Sequence, residues 1–387
     1  MSDPPAKLLI MKITVADIQK ILDTAYPPAL AESWDKVGLI CGDPQALVQR
    51  VGFALEATPE VAARAVELEL DMLVVHHPLF LRGTSTVATD SAKGKTIHSL
   101  IKNDIALFSA HTNADSARPG VNDKLAELVG IKPGRPIAPR ILAARDKWGV
   151  QVPESHVEAL KTALFNAGAG EIGDYQECAF TISGRGQFRP KAGANPHIGT
   201  SGELSQIAEL RVEFIAQRQH RSNILAALRQ AHPYEEPAFD ILELVNDIDL
   251  ETATGLGRIG YLPEPMTLAA FTQQVANALP ETVWGVRAAG DPEKIVHKVA
   301  VSSGSGDGFL SDATALGADV YISSDLRHHP VDEHLRAGGC AVIDTAHWAS
   351  EFPWTSQAAE IVAAKAPVET TIISLRTDPW TISSHVQ

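Results

Sequence analysis

Two stretches near opposite ends of the 387-residue chain follow one pattern, and that repetition limits the folds open to it. The first, "VGFALEATPEVAARAVELELDMLVVHHP" from Val51, reads as strand, helix, strand. The second, "VHKVAVSSGSGDGFLSDATALGADVYISSDLRHHP" from Val296, reads as strand, loop, helix, strand. From Val51 to Val74 is 23 positions; from Val299 to Tyr321 is 22. Each stretch is followed by a further short apolar strand running into polar residues, "DIALFSAHTNAD" and "LRAGGCAVIDTAHWASE". A helix between two strands lets both run parallel in one sheet, with the helix packed across it. The expected fold is α/β, with two similar halves grown from a duplicated unit. Local signals agree. Thr58-Pro59-Glu60 offers a capping hydroxyl, a proline for the first turn and an acid near the positive helix end. In "TVADIQKILDTAYP", Thr14 is placed to cap a helix whose Val15, Ile18, Ile21 and Leu22 share one face.

The segment between the halves has another texture. "WGVQVPESHVEALKTALFNAGAG" reads as a strand and an amphipathic helix, with Val157, Leu160 and Leu164 at helical spacing. "ELRVEFIAQRQHRSNILAALRQAHPYEEPAFDILEL" repeats strand, helix, strand. Two such units predict an inserted ferredoxin-like α+β domain over 140–248, leaving 1–139 plus 249–387 as the main domain. Between the two units, "SGRGQFRPKAGANPHIGTSGEL" is rich in Gly and Pro and reads as a long loop. "HPYEEP" reads as a structural turn, and Trp148 and Trp284 as packing anchors.

The net charge of −14 argues against a partner that is nucleic acid or an anionic membrane surface. Three cysteines, Cys41, Cys178 and Cys340, lie far apart and in no CxxC, which fits a reduced cytoplasmic compartment and no thiolate metal site. No apolar run approaches the roughly 20 residues of a membrane span. The N-terminal "MSDPPAKLLIMKITV" lacks a signal core and cleavage site, and Met11 is an alternative start that would make the first residues a loose extension.

Candidate chemistry gathers at strand ends. The apolar run Met72 to Val75 stops at His76-His77-Pro78; "ALFSA" leads to His111 and Asp115; "AVID" leads to His347, with Glu351 four residues on. In an open parallel sheet, ligands bind beyond the carboxyl ends of the strands. His347 and Glu351 fall one helical turn apart on one face. Imidazoles with carboxylates suit first-row divalent cations such as Zn, Fe, Mn or Co. Five protein ligands exceed what one catalytic zinc takes, whereas two metals sharing a carboxylate would use them all. Taken singly, each residue has a plainer reading. A strand-end histidine is often a hydrogen-bonded core residue, Asp115 could cap a turn, and His347 with Glu351 could be a solvated helix face. Adjacent strand residues point to opposite faces, so His76 and His77 are expected to act together only where the chain leaves strand geometry, as Pro78 would encourage. The "SSGSG" loop at 302–306 could cradle a phosphate through its amides, but no GK[ST] follows it.

"VVHHPLF", "AHTNADSA" and "DTAHWASE", together with "SWDKVGL" and "ISSDLRHH", resemble the Nif-three-like family of dinuclear-metal proteins, whose bacterial members are called GTP cyclohydrolase type 2 homologues. "GANPHIG" and "AHPYEEPAFDI" resemble the PII/CutA-like domain that longer members carry between the halves. The resemblance implies two divalent cations per chain on His76, His77, Asp115, His347 and Glu351. It implies that His111 and the Asp325/His329 pair line the same cavity, with His111 or His329 moving protons. It also implies a toroidal homohexamer whose inserted domains cap the ring. Lys36 and Glu56 depart from the family's usual Asn and Asp, which bears on substrate fit and not on the ligands. The leading expectation is a metal-dependent hydrolase acting on a nucleotide or another small molecule. The alternatives are a metal-handling or regulatory protein whose insertion senses a small molecule, and a scaffold with structural metals.

Overall fold

The computed structural model describes residues 12–140, 144–245 and 249–384, so the alternative start at Met11 lies outside the described residues. The chain divides into two compact units, Met1–Arg140 with Asp249–Gln387, and Ile141–Ile248.

The first unit holds two five-stranded sheets. In one, Ala106–Ser109, Met72–His77, Arg50–Glu56 and Glu369–Ile372 run parallel, and Gly38–Cys41 pairs antiparallel with Ala106–Ser109. In the other, Ile295–Ser305, Val320–Ser324 and Ala341–Thr345 run parallel between two antiparallel edge strands, Arg258–Thr267 and Val286–Ala289. Each sheet thus carries three parallel strands in chain order, with an antiparallel neighbour on the third. These central strands are buried on both faces, which is why they read as unbroken apolar runs. Phe53, Val74 and Phe108 pack on one side of the first sheet, Leu73, Val75 and Leu107 on the other.

The helices begin where the sequence signals them. The hydroxyl of Thr58 accepts from the Val61 N–H, and Thr14 with Asp17 forms a reciprocal capping box on helix Val15–Ala25. Arg258, fully buried, donates to both oxygens of Asp123 and to the carbonyls of Ala117, Gly255 and Gly257. Every donor of its fork that the interior could orphan is thereby used.

The second unit is one antiparallel sheet with two helices on one face. Its elements run strand Arg145–Pro153, helix Val157–Asn166, strands Ala179–Phe188 and Ser205–Gln217, helix Arg221–Ala231, strand Phe239–Glu243. In the sheet, Ala179–Phe188 lies at one edge and Phe239–Glu243 at the other. Trp148, Val150, Val212 and Phe214 face Leu160, Leu164, Ile224 and Leu228. The expected long loop is shorter than its composition suggests. Ser183 to Phe188 extends the edge strand, paired residue for residue with Ser205 to Leu210. Gly184 and Gly186 are tolerated there because an edge strand has one neighbour to satisfy.

Candidate metal centre

The strand Met72–His77 delivers two imidazoles at its carboxyl end, and both remain within the strand. The expected departure from strand geometry does not occur: Ala54 pairs with Val75 and Glu56 with His77. The cluster lies beyond the end of the strand instead of over one face, so the two rings converge with centroids 5.1 Å apart. His111 stands at the end of Ala106–Ser109, just before the short helix Thr112–Ser116 that carries Asp115. From the second sheet, Ala341–Thr345 leads into helix His347–Glu351, whose ends are the two remaining residues. His111 lies 5.1 Å from His76 and 5.5 Å from His77, and His347 lies 5.3 Å from His77, ring to ring.

One nitrogen of each imidazole is already engaged. His76 Nδ1 lies 2.8 Å from the Ala110 carbonyl, which can only accept, so that nitrogen bears the proton. His77 Nδ1 meets Glu56 at 3.2 Å, His111 Nδ1 meets Asp35 at 2.9 Å, and His347 Nδ1 meets Asp325 at 2.7 Å. Four Nδ1 atoms thus face oxygens that orient the rings, the arrangement that holds a metal-ligating histidine in one tautomer with Nε2 available. His76 Nε2 is fully buried without a hydrogen-bond partner, 3.7 Å from both Asp115 Oδ1 and Glu351 Oε1. Glu351 Oε2 is likewise buried and without a directed donor, although His77 Nε2 and His347 Nε2 stand 2.9 and 3.1 Å away.

Three sets of possible ligand atoms come within 4.8 Å of one another: His76/His77/His111, His77/His347/Glu351, and His76/Asp115/Glu351. Glu351 belongs to two of them through its two oxygens. Among the described residues, no lysine or arginine pairs with Asp115 or Glu351. Orphaned buried donor atoms, two carboxylates with only imidazoles to answer them, and an all nitrogen and oxygen ligand set fit divalent cations.

The electrostatics follow from that composition. Burial would raise the Glu351 carboxyl, but the charges of His347, His77 and His76 hold it well below its ordinary value. Burial would lower His77, yet Glu351 and Glu56 push it up to about 9. Glu351, against the opposing effect of burial, and Asp325 push His347 up to about 11. Burial raises Asp115, and Glu351 adds to that while His76 opposes it. Asp35 is driven down despite burial by His111 and Thr112.

Closely fitted residues surround the ligands. Ser303 Oγ donates to Asp115 Oδ1 at 3.1 Å. Asn122 accepts from the Ser303 N–H and donates to the Asp115 carbonyl. Gly304 adopts φ +60°, and a Cβ there would stand 2.2 Å from Glu351 Oε1, so the carboxylate occupies the space a side chain would need. The Ser303 and Gly304 amides are spent on Asn122 and Ser350, which argues against the phosphate-cradle reading of this loop. Of the residues expected to line the cavity, Asp325 orients His347 and His111 joins the two strand-end histidines. His329 is not brought in: it is exposed in the first turn of helix His328–Arg336, against His328. Asp35 and Glu56 as ring-orienting partners, and Ser303 and Asn122 as supports, went unread in the sequence. The one available signal was their place in motifs, "SWDKVGL" above all.

The family model described as Duf34/NIF3 (NGG1p interacting factor 3) matches residues 13–379. The chain belongs to this Duf34/NIF3 family. A Mycobacterium tuberculosis relative named GTP cyclohydrolase 1 type 2 homolog is 49% identical over 96% of this chain and 98% of its own length. A Bacillus subtilis relative of the same name is 37% identical over 87% of this chain and 88% of its own. Among solved structures, a Bacillus cereus protein related to NIF3 is similar with a TM-score of 0.65, at 36% identity over 96% of this chain and 99% of that one. A Staphylococcus aureus protein gives 0.72 at 28% identity with the same coverage. Among the described residues no helix is long and apolar enough to cross a membrane.

Proposed function

We propose that this Duf34/NIF3 chain holds two divalent cations, Zn, Fe, Mn or Co, and is a metal-dependent hydrolase of a nucleotide or a comparable small molecule. The observation that carries the reading is the double membership of Glu351, one oxygen facing His76 and the other facing His77 and His347. A carboxylate so placed would be able to serve both cations. His76 and Asp115 would help to hold one, His77 and His347 the other. Bound there, divalent cations supply Lewis acidity and bring the pKa of water towards neutrality.

The remaining steps belong to the protein. His111, its Nδ1 held by Asp35, offers Nε2 as the proton acceptor beside the ligands. Glu56 and Asp325 fix His77 and His347 in orientation. Trp34, half exposed, stands edge-on to His111 and forms an apolar border to that side. The name borne by the relatives supports a purine nucleoside triphosphate as the first substrate to try.

The same proposal covers the wider organisation. The matching order of the three central strands, each set with an antiparallel neighbour on its third strand, supports a duplicated unit. The strand, helix, strand, strand, helix, strand order of 141–248 supports an inserted ferredoxin-like domain of PII/CutA type. A toroidal homohexamer and a cytoplasmic location complete it, the latter supported by three unpaired cysteines. The test is metal analysis of the purified protein, followed by turnover of the metal-loaded form on a panel of nucleotides and phosphoesters. Metal-dependent hydrolysis of one class, abolished in His111→Ala with the metal retained, is the expected result. A fully loaded protein inert on the whole panel would overturn the hydrolase reading.

A further inference from the structure

The second unit carries a cavity of about 680 Å³ that is independent of the metal centre, and two motifs with no part in the chemistry above meet in it. Ala194, Pro196, His197 and Ile198 come from "GANPHIG"; Tyr234, Glu235, Glu236 and Ala238 come from "HPYEEPA". They touch directly, the Asn195 N–H donating to Glu235 Oε2 at 3.1 Å. The volume falls within the roughly 300–1,000 Å³ of small-molecule sites. The floor is the face of the sheet opposite the helices. There a Cβ on Gly184 would meet the Glu209 carbonyl at 4.0 Å, and the Glu209 carboxylate lies over Gly186, where a Cβ would stand 1.8 Å from it.

The polar groups sort into spent and unspent. The Arg211 fork is already paired with two carboxylates, Asp240 at both of its oxygens and Glu213. Glu209 accepts from the Tyr234 hydroxyl at 2.9 Å, and among the described residues no donor reaches its other oxygen. Among the described residues, Glu209, Glu235 and Glu236 have no cationic partner and Arg185 and Arg189 no anionic one, although Arg189 Nη1 donates to the Gly202 carbonyl at 2.6 Å. Beside them stand the half-buried rings of Tyr234 and Phe188, 6.2 Å apart and tilted. Aromatic walls take a flat ring, free carboxylate oxygens take its N–H groups, and unpaired guanidiniums take an anionic substituent. Ring, N–H donors and anion together describe a nucleotide. A metal is the poorer match, since no three ligand atoms here, among the described residues, approach one another as they do in the metal centre.

We propose that this cavity binds a nucleotide through ring contact with Tyr234 and Phe188, N–H donation to Glu209 and Glu235, and phosphate pairing with Arg185 and Arg189. All of its lining residues belong to the second unit, and the site does not depend on the hydrolase reading.

Calorimetric titration of the full chain with GTP and ATP, and with guanosine and inorganic phosphate as fragments, tests it. The expected result is saturable binding of a nucleotide, retained in Glu351→Gln. Tyr234→Ala and Arg185→Glu should each weaken it about tenfold or more, the scale of losing a good aromatic or charged contact. Unchanged circular dichroism and an unchanged thermal midpoint in both variants would show that they remain folded. Absence of saturable binding up to millimolar nucleotide would overturn the proposal. So would binding that vanishes in Glu351→Gln and ignores Tyr234→Ala and Arg185→Glu, since that would assign the ligand to the metal centre.

Discussion

One charged row on the second unit and one cluster in the first handle charge in opposite ways. Across the open face of the second unit, Lys147, Glu213, Arg211 and Asp240 neutralise one another in a partly exposed row. At the strand ends of the first unit, Glu351 and Asp115 are sunk among imidazoles with no fixed cation beside them. Surface pairs of the first kind contribute little, because water already solvates each partner. A buried anion of the second kind is costly unless something positive arrives, and in the metal-free state that is the proton. One region is complete by itself; the other is built to be completed.

Substitutions at the incomplete region should therefore have the largest effect. Glu351→Gln keeps the size and removes the shared anion, so both cations should be lost, and elemental analysis should find the content falling towards zero. Retention of two cations would move the shared role to Asp115. His76→Ala should instead lose mainly one.

Next in size are the oxygens behind the rings. Asp35→Asn, Glu56→Gln and Asp325→Asn leave every ligand in place but loosen His111, His77 or His347. Supporting partners of this kind are worth about 10–100-fold in metal affinity. Competition titration against a chelator would measure it, and affinities equal to the unmodified protein would mean that these carboxylates do not orient the rings.

The proton sharpens the comparison further. His77, at about 9, and His347, at about 11, carry protons at neutral pH in the metal-free protein. Metal binding must release them, so affinity should rise with pH, and calorimetry in buffers of different ionisation enthalpy should detect proton release. Both values lie above the ordinary 6.5, so their contribution to metal-free stability is whole below 6.5 and fades as pH rises through 9 and beyond. Glu351, held below its ordinary 4.5, contributes above that value and loses its contribution as pH falls. The metal-free protein should therefore gain most from this cluster between about 4.5 and 6.5, read as a maximum in its thermal midpoint. A midpoint indifferent to pH across 4 to 10 would contradict the pairing.

The smallest effect belongs to the complete region. Arg211→Ala breaks a part-exposed network and should cost at most about 1 kcal/mol in chemical denaturation. A loss of several kcal/mol would show that this row stabilises more than its exposure suggests.

How much of this could be read beforehand follows from the range of each signal. Apolar runs ending in histidines or aspartate report their own strand ends, so His76, His77, Asp115, His347 and Glu351 were visible as candidates. Helix starts at Thr14 and Thr58 were visible for the same local reason. Contacts across the fold leave no spacing to read. Asp35 meets His111 from 76 positions away, and Ser303 meets Asp115 from 188. His329 differs from the other histidine pair that "DLRHHP" resembles: it begins an exposed helix instead of ending a buried strand. Ser183 to Phe188 misled because glycine composition signals a loop, while pairing with a neighbouring strand decides the matter.

The central claim is that Glu351 joins two cations within one cluster, and metal stoichiometry tests it most directly. Protein purified without chelators and saturated with a single divalent metal should contain two ions per chain by elemental analysis. One ion per chain, or none, under metal-replete conditions would contradict the account.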